Sequence, residues 1–476
     1  MAFIWDITDG VSRQIEGAQS RVNELLFEPV IRLGVTGLSR SGKTVFITSL
    51  VANLLKSGRM PAFQAASEGR LLNAFLQPQP NDAVARFAFE DNLAAFSGPA
   101  PHWPDGTRTI SQLRLSLRVR PTGFLTGVTG PRTVHLDIVD YPGEWLLDLP
   151  LLSQSYRQWS DRTLTLAQGD ARMDLTRDWR ALATSDAAKA PLEEVQAQTH
   201  ARAFTGYLNA ARLAGFSGCS PGRFLLPGDL EGSPALTFAP LPPPEERPGS
   251  GSLHAAFERR FEAYKRIVVK PFFRDHFARL DRQIVLIDAL GAINAGPRAL
   301  EDLRMAMADI LVAFRPGPNS WLSSVLGKRV ERILFAATKA DHLHHAQHPQ
   351  LTAIMDALVS EARQRADYKG ADTRAMSIAS LRTTVEAEVP HNGETLACVR
   401  GTLGETGREA ALYAGELPTD PSALLVPARK GAETWLDADY DVMKFAPPAL
   451  SLGGDKGPPH IRLDHAAEFL LGDRLR

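Results

Sequence analysis

The chain has 476 residues, with 53 Lys and Arg against 54 Asp and Glu, and a formal net charge of −1. This balance excludes a globally basic nucleic-acid binder and an acidic tail protein, so we expect no nucleic-acid partner. The two cysteines, Cys219 and Cys398, exclude a disulfide scaffold and a cysteine zinc site.

The elements of the N-terminal part alternate between helix and strand. Apolar residues at helical spacing predict an amphipathic helix over 8–27 that packs on the core. An apolar strand over 31–36 precedes a glycine-rich turn and a helix that runs to about Leu55. The alternation over 111–120 predicts a half-buried strand with a solvated face, as an edge strand would have, and a hairpin joins it to a strand over 133–140.

The pattern changes after residue 143. Residues 144–215 predict helices, and the Pro- and Gly-rich stretch 221–252 predicts a linker or a long surface loop. A long helix is expected over 253–280, bent or broken at Pro271. No apolar run is long enough for a transmembrane segment, and the N-terminus does not resemble a signal peptide, so we expect a cytoplasmic protein.

The C-terminal part again alternates short apolar runs with helices, which is typical of a mostly parallel sheet covered on both faces. The predicted strands are 283–290, 332–338 and 373–379, and the predicted helices are 298–314 and 350–367. The predicted organisation is an N-terminal helix (1–30), a core in two parts (31–143 and 281–384), a helical insertion (144–280) and a C-terminal extension with mixed strands and a terminal helix (385–476).

The segment between the first strand and its helix fits the phosphate-binding pattern G-x-x-x-x-G-K-[ST]. Its glycines let the backbone N–H groups turn toward one anion, beside the positive end of the helix dipole. The lysine would place its charge on the β- and γ-phosphates, and the threonine hydroxyl would bind Mg²⁺. The candidate nucleotide-binding residues here are Gly37, Ser39, Arg40, Ser41, Gly42, Lys43, Thr44 and Val45.

A second motif, D-x-x-G, ends the strand 133–140. Asp140 there can hold Mg²⁺ through a water molecule, and the N–H group of Gly143 can approach the γ-phosphate. A threonine that binds Mg²⁺ in the triphosphate state should precede the strand at 111–120. Thr107 and Thr109 both qualify, and Thr109 is preferred.

A third motif, T-K-A-D, follows the strand at 332–338. The Asp341 carboxylate can accept hydrogen bonds from guanine N1–H and from the exocyclic amine, a pair of donors that adenine does not offer. The alkyl stem of Lys339 would lie across the base, and backbone groups of Ser377 and Ile378 after the last strand would contact guanine.

The order of these motifs resembles a GTPase of the Ras-like P-loop class, in which Thr can stand where Asn is commoner in the third motif. Four runs resemble the YcjX-like family of bacterial P-loop proteins, DUF463: GLSRSGKT (37–44), DYPGEWLLDLPLL (140–152), ATKADHL (337–343) and PHIRLDHAAEFLLGD (459–473). The resemblance covers essentially the whole chain. It implies a Ras-like α/β core with a large helical insertion, binding of GTP and GDP, a link to envelope stress, and attachment to the inner membrane through a partner, the membrane protein YcjF.

One residue departs from the Ras-like pattern. Glu144 stands where a glutamine commonly orients the attacking water, and a carboxylate cannot donate as an amide does. We therefore expect slow hydrolysis that involves Lys43, Gly143 and Glu144, with Arg40 as a candidate for stabilising transition-state charge. An ATPase, or a nucleotide-bound scaffold without turnover, remains an alternative.

Histidines cluster just after Asp341, at positions 342, 344, 345 and 348. His344 and His348 are four residues apart, the spacing of neighbours on a helix, so a metal pair is conceivable. Because no nearby carboxylate in the sequence completes a metal shell, we interpret the cluster as a polar loop.

Overall fold

The computed structural model describes residues 28–38, 40–122, 130–244, 249–312, 330–367, 370–435, 440, 442–450 and 454–476. The predicted N-terminal helix over 8–27 and Ser39 of the phosphate loop lie outside the described residues.

A mixed sheet forms the centre of the fold. Its neighbouring strands run in the order β2-β4-β5-β1-β6-β7-β8, and β3 pairs with β4. Strands β5, β1, β6, β7 and β8 are parallel, whereas β4 is antiparallel to β5, and β2 is antiparallel to β4. The strands of the chain are β1 (Val30–Gly37), β2 (Leu71–Gln77), β3 (Ala85–Arg86), β4 (Ser111–Val119), β5 (Arg132–Asp140), β6 (Arg282–Ile287), β7 (Arg332–Ala337), β8 (Asp372–Ser377), β9 (Val385–His391), β10 (Glu394–Thr402) and β11 (Glu409–Leu412).

Helices cover both faces of this sheet, which confirms the predicted α/β class. They are α1 (Lys43–Leu55), α2 (Gln64–Ser67), α3 (Phe89–Ser97), α4 (Tyr156–Gln168), α5 (Arg177–Leu182), α6 (Ser185–Lys189), α7 (Glu194–Leu213), α8 (Gly222–Leu225), α9 (Leu253–Tyr264), α10 (Lys270–Asp275), α11 (Ala289–Asn294), α12 (Pro297–Val312), α13 (His348–Asp367), α14 (Ser422–Arg429) and α15 (Leu463–Leu471). Among the described residues, none of these helices has the length and apolar composition that a membrane crossing requires.

The side-chain alternation of the strands divides the core into two layers. Ile284 and Leu286 of β6 pack in one hydrophobic cluster with α1 and α15, and Val285 and Ile287 pack in the other with α12 and α13. Successive residues of a strand point to opposite faces, so an unbroken apolar run fits a strand that is buried on both sides.

The described residues of the region 144–280 form helices, turns and irregular segments, and they pack against the second of these layers. Trp159 stacks on Phe261 with ring centroids 5.1 Å apart, and Trp179 stacks on Tyr207 at 5.3 Å. The same cluster includes Val285 of β6, so this helical lobe shares a continuous hydrophobic core with one face of the sheet.

The prediction of a surface loop over 221–252 was wrong for residues 221–225 and 238–241, which are buried, whereas Glu231, Gly232 and residues 249–251 are exposed. Phe238 is fully buried, and the carbonyls of Ala239 and Leu241 accept hydrogen bonds from Tyr156 Oη at 2.8 Å and Ser160 Oγ at 2.6 Å. The stretch lacks long helices because of its prolines and glycines, yet side chains of the lobe satisfy its backbone groups. A Pro- and Gly-rich composition predicts irregular backbone and not exposure.

The strand at 111–120 is also not an edge strand, because β2 pairs with its outer side. Arg114 of β4 forms a bidentate ion pair with Asp137 of β5, at 2.6 and 2.7 Å. The face of this strand that was predicted to be solvated is therefore only partly so: Arg118 is exposed, and Arg114 is neutralised within the sheet.

Two further details concern the predicted helices. The helix ahead of β6 does not break at Pro271. A π-helical turn at Lys265–Val269 links α9 to α10, so the irregularity falls just before the proline. At the C-terminal end, β9–β11 form a separate antiparallel sheet, and α15 packs on the layer that contains α1.

Candidate nucleotide-binding site

The phosphate loop lies between the carboxyl end of β1 and the start of α1. Gly42 has φ of 81°, a left-handed conformation that favours glycine, and it immediately precedes α1. A Cβ on Gly37 would lie 2.5 Å from the Leu286 carbonyl oxygen of β6, so only glycine fits there. These two glycines are the positions at which the motif requires glycine.

The side chains of the loop are turned inward. Lys43 is 9% exposed, and its Nζ donates to the carbonyl of Gly37 at 3.0 Å, which curls the lysine over the loop. Ser41 is buried, and its Oγ has no hydrogen-bond partner among the described residues. Arg40 is exposed, with φ of 65°. The loop therefore presents one buried ammonium group and one unpaired hydroxyl group.

Asp140 ends β5 beside this loop, and the register pairs it with Val35 of β1. Its Oδ2 accepts a hydrogen bond from Thr107 Oγ1 at 2.7 Å. Burial raises the pKa of Asp140 to about 6, and the nearby charge of Lys43 and the hydrogen bond from Thr107 limit that rise. Thr109, the preferred threonine of the sequence, is exposed, and Thr107 is the one that reaches Asp140.

The donors gathered here fit Mg²⁺, which binds oxygen ligands. Asp140 Oδ1 is buried and has no hydrogen-bond partner among the described residues. Thr44 Oγ1 lies 3.4 Å from the carbonyl oxygen of Asp105, in the segment that also carries Thr107. The segment that carries Asp105 and Thr107 thus contacts both Thr44 and Asp140 at the carboxyl edge of the sheet.

Gly143 packs directly against the phosphate loop. A Cβ on this residue would lie 1.7 Å from the carbonyl oxygen of Gly37, so no other residue fits this approach. Glu144 follows it and is 5% exposed. The D-x-x-G segment is therefore in backbone contact with the loop that would hold the phosphates.

The T-K-A-D segment occupies the same edge of the sheet, after β7. Lys339 is left-handed, with φ of 61°, and its Nζ forms an ion pair with Asp288, which follows β6. Asp341 is buried, and its Oδ2 accepts from Thr383 N at 2.8 Å and from Thr383 Oγ1 at 2.6 Å. A carboxylate offers about four acceptor positions, and Thr383 takes two of them.

Ser377 ends β8, Ile378 follows it, and both residues are fully buried. Ser377 Oγ donates to the His348 carbonyl at 3.1 Å and accepts from Arg462 Nη1 at 2.9 Å. The backbone N–H of Ile378 donates to the carbonyl of Ala337 at 2.8 Å. These contacts fix the loop after β8, and they engage the hydroxyl and the amide in the protein itself.

A connection to the helical lobe begins immediately after Gly143. The 3-10 segment Gly143–Ser153 carries Asp148, which is buried and accepts hydrogen bonds from Gly222 N at 2.7 Å and from Tyr264 Oη at 2.6 Å. Trp145 Nε1 donates to the Leu226 carbonyl at 3.0 Å, and the Arg223 guanidinium lies over the Trp145 ring. The lobe therefore holds the segment that follows the D-x-x-G motif.

The sequence did not identify Thr383, Asp148 or Gly222 as parts of this region. Thr383 bonds to Asp341, 42 residues away in the chain, and Asp148 and Gly222 bond to each other across 74 residues. Asp148 lies within the run 140–152 that carries the family resemblance, which was the one available signal. Thr383 and Gly222 belong to no motif, so only the fold reveals them.

Three features define the Ras-like P-loop α/β fold. A glycine-rich loop lies between β1 and α1, Asp140 ends the adjacent parallel strand β5, and T-K-A-D follows β7, two strands from β1 on its other side. Residues 31–475 match the model of the YcjX-like family, DUF463, and the chain belongs to this family. It is 38% identical over 458 residues to the Ras-like GTPase YcjX of Escherichia coli (strain K12), covering 94% of this chain and 96% of that protein. It is 35% identical over 471 residues to the Ras-like GTPase YcjX of Shewanella oneidensis, covering 94% of each.

Proposed function

We propose that this protein is a Mg²⁺-dependent GTPase of slow turnover that acts as a nucleotide-controlled switch. The observation that carries the proposal is the convergence of Lys43, Thr44, Asp140 and Thr107 at one end of the sheet, next to the Gly143 backbone. The relatives bear the name Ras-like GTPase, and the motif order agrees with that name.

In this proposal the phosphate loop binds the β- and γ-phosphates through backbone N–H groups and Lys43. Thr44, Thr107 and Asp140 would hold Mg²⁺, which when bound would supply positive charge against the negative charge of the phosphates. The close approach of Gly143 to Gly37 supports a role for its backbone N–H at the γ-phosphate, because the two segments already touch.

For base recognition we propose Asp341, oriented by Thr383. Two hydrogen bonds from Thr383 hold one carboxylate oxygen, which fixes the plane of the group for a ligand. The ion pair of Lys339 with Asp288 holds the lysine stem at the adjacent strand end, where a base could pack on it. Ser377 and Ile378 would contribute by fixing this loop, since their polar groups already bond within the protein.

The base preference is tested by calorimetric binding of GTP, GDP, ATP and xanthosine diphosphate with Mg²⁺. Wild type should prefer guanine, and Asp341→Ala should lose about 10–150-fold, the equivalent of a charged hydrogen bond of about 1.5–3 kcal/mol. Asp341→Asn provides the control for misfolding, because its amide would donate to the 2-carbonyl of xanthine and gain that ligand while losing guanine. ATP binding equal to GTP binding, and indifferent to Asp341, would leave an ATPase as the better assignment.

Turnover is tested by phosphate release with wild type and Glu144→Gln. An amide can donate to the water and accept from it, so we expect the variant to hydrolyse GTP faster at unchanged GDP affinity. No release above background by either protein, with nucleotide bound, would instead support a scaffold without turnover. Arg40 stays a candidate for charge stabilisation, and Arg40→Ala should slow hydrolysis without weakening GDP binding.

The switch is the contact between Gly143–Ser153 and the rest of the helical lobe. We propose that γ-phosphate binding at Gly143 shifts this segment and that Asp148 transmits the shift to Gly222 and Tyr264. Hydrogen exchange of the GDP form and of a form with a non-hydrolysable GTP analogue should differ across 144–280. Identical exchange in the two forms would refute the switch.

The family resemblance is the support for two wider proposals. The first is a cytoplasmic protein that reaches the inner membrane through a partner such as YcjF, and the second is a role in envelope stress. Co-purification from bacteria that carry wild type or a Lys43→Ala variant tests whether partner binding depends on nucleotide.

A further inference from the structure

The histidine cluster after Asp341 meets a carboxylate that the sequence places far away. Glu386 is the second residue of β9, 41 residues beyond His345, and the fold brings it against the turn that precedes α13. The absence of such a carboxylate was the reason for interpreting the cluster as a polar loop. The structure removes that reason, and it also replaces His348 by His345 as the second histidine.

The three side chains present their ligand atoms to one another. His345 Nδ1 lies 2.9 Å from Glu386 Oε2, and His344 Nε2 lies 3.8 Å from the same oxygen. The ligand atoms of the three side chains all lie within 4.8 Å of one another. In a tetrahedral site with bonds of about 2.0–2.1 Å, ligand atoms are about 3.3 Å apart, so small side-chain rotations close the shell.

The surroundings already orient the carboxylate. The backbone N–H of His345 donates to Glu386 Oε1 at 3.2 Å, and Arg382 Nη2 lies 4.0 Å from that oxygen. These contacts leave Oε2 facing the two imidazoles, as outer-shell partners do around metal ligands. The side chain of His345 is 66% exposed and that of Glu386 is 33% exposed, which leaves a path from solvent.

His348 is excluded as a ligand by its own contacts. It is buried, and its Nε2 lies 2.8 Å from the carbonyl oxygen of Ala340. Metal binding by His344 has a small cost, because Nδ1 would then carry the proton and lose a 3.4 Å contact with Ala346 N. A contact of that length is weak, and a metal–nitrogen bond outweighs it.

We propose that His344, His345 and Glu386 form a binding site for a divalent transition metal, with Zn²⁺ as the ion of best chemical fit. Two imidazoles with one carboxylate suit Zn²⁺, whereas Mg²⁺ prefers oxygen ligands and is not expected to compete. Three protein ligands leave the fourth position to water. The ion would join the turn before α13 to β9. Its ligand Glu386 lies two residues after Thr384, whose hydroxyl donates to the Asp341 carbonyl.

The test is a calorimetric Zn²⁺ titration of the full chain, freed of metal with a chelator and measured in excess Mg²⁺ to occupy oxygen sites. We expect one Zn²⁺ per chain with a dissociation constant in the micromolar range or below, and at least about tenfold weaker binding by His345→Ala and Glu386→Gln. The matched control is His391→Ala, an exposed histidine at the other end of β9, which should bind as wild type does.

A further readout separates a site from nonspecific binding. Zn²⁺ should slow hydrogen exchange over 342–347 and at the start of β9. Absence of saturable binding overturns the proposal. The proposal is also overturned if Glu386→Gln and His345→Ala bind Zn²⁺ as wild type does, or if His391→Ala weakens Zn²⁺ binding as much as these two variants do.

Discussion

One added Cβ atom, at Gly222 of the helical lobe, should disrupt the contact with the segment after the D-x-x-G motif. A Cβ on Gly222 would lie 1.8 Å from the backbone oxygen of Glu144, whereas real Cβ contacts essentially never fall under 3.0 Å. Gly222→Ala must therefore separate two backbone segments by about 1.2 Å or more. Neither segment can yield by a side-chain rotation, because the clash is with a backbone atom.

The magnitude follows from two costs. Overpacking of this kind costs about 1–3 kcal/mol. If the segments part, the buried hydrogen bond from Gly222 N to Asp148 is lost as well, for about 1–3 kcal/mol more. We therefore expect Gly222→Ala to lower the free energy of unfolding by about 2–6 kcal/mol.

The assay is urea unfolding of the full chain beside a matched control in the same lobe. Gly206 lies on the exposed side of α7, and a Cβ there meets nothing within 4 Å. Gly206→Ala should therefore stabilise the protein by about 0.5–1 kcal/mol through helix propensity. Hydrogen exchange should rise across 143–153 in Gly222→Ala alone, and equal unfolding midpoints for the two variants would refute the reasoning.

Three other predictions concern the nucleotide site. Lys43→Ala should abolish tight GDP binding in a fluorescent-nucleotide titration. The control is Lys56→Ala, an exposed lysine directly after the same helix, which should bind GDP normally. Equal affinities of the two variants would exclude Lys43 from phosphate binding. Thr107→Ala should weaken the Mg²⁺ dependence of nucleotide binding and Thr109→Ala should not, because only Thr107 contacts Asp140; the reverse order would restore Thr109. Since the pKa of Asp140 is about 6 and only its ionised form binds metal, apparent Mg²⁺ affinity should fall about tenfold per pH unit below that value, and no fall between pH 6.5 and 5 would contradict this role.

Much of the fold was predictable because its signals are local. The apolar runs predicted β6 and β7 to within a few residues, alternation predicted β4, and the hairpin that follows it predicted β5. The phosphate loop was recognisable from eight consecutive residues, since its glycines and Lys43 are required by the geometry of that turn itself.

The prediction failed where a distant segment decides the outcome. Pairing of β2 with β4 removed the expected edge, and aromatic side chains of the lobe buried the stretch around Phe238. Both outcomes depend on which part of the chain packs against the segment. Strand alternation and proline content do not identify that packing partner.

Within the candidate site, the sequence by itself determined which residues have the right chemistry: a lysine and a threonine after two glycines, an aspartate at a strand end, and an aspartate suited to guanine. The tertiary structure decided their neighbours. It placed Thr107 instead of Thr109 at Asp140, bound Asp341 to Thr383, and brought Glu386 to the histidines. The physical reason is that each motif is a short run that can be read directly from the chain, whereas these partners lie 33, 42 and 41 residues apart in sequence and meet only through tertiary contacts.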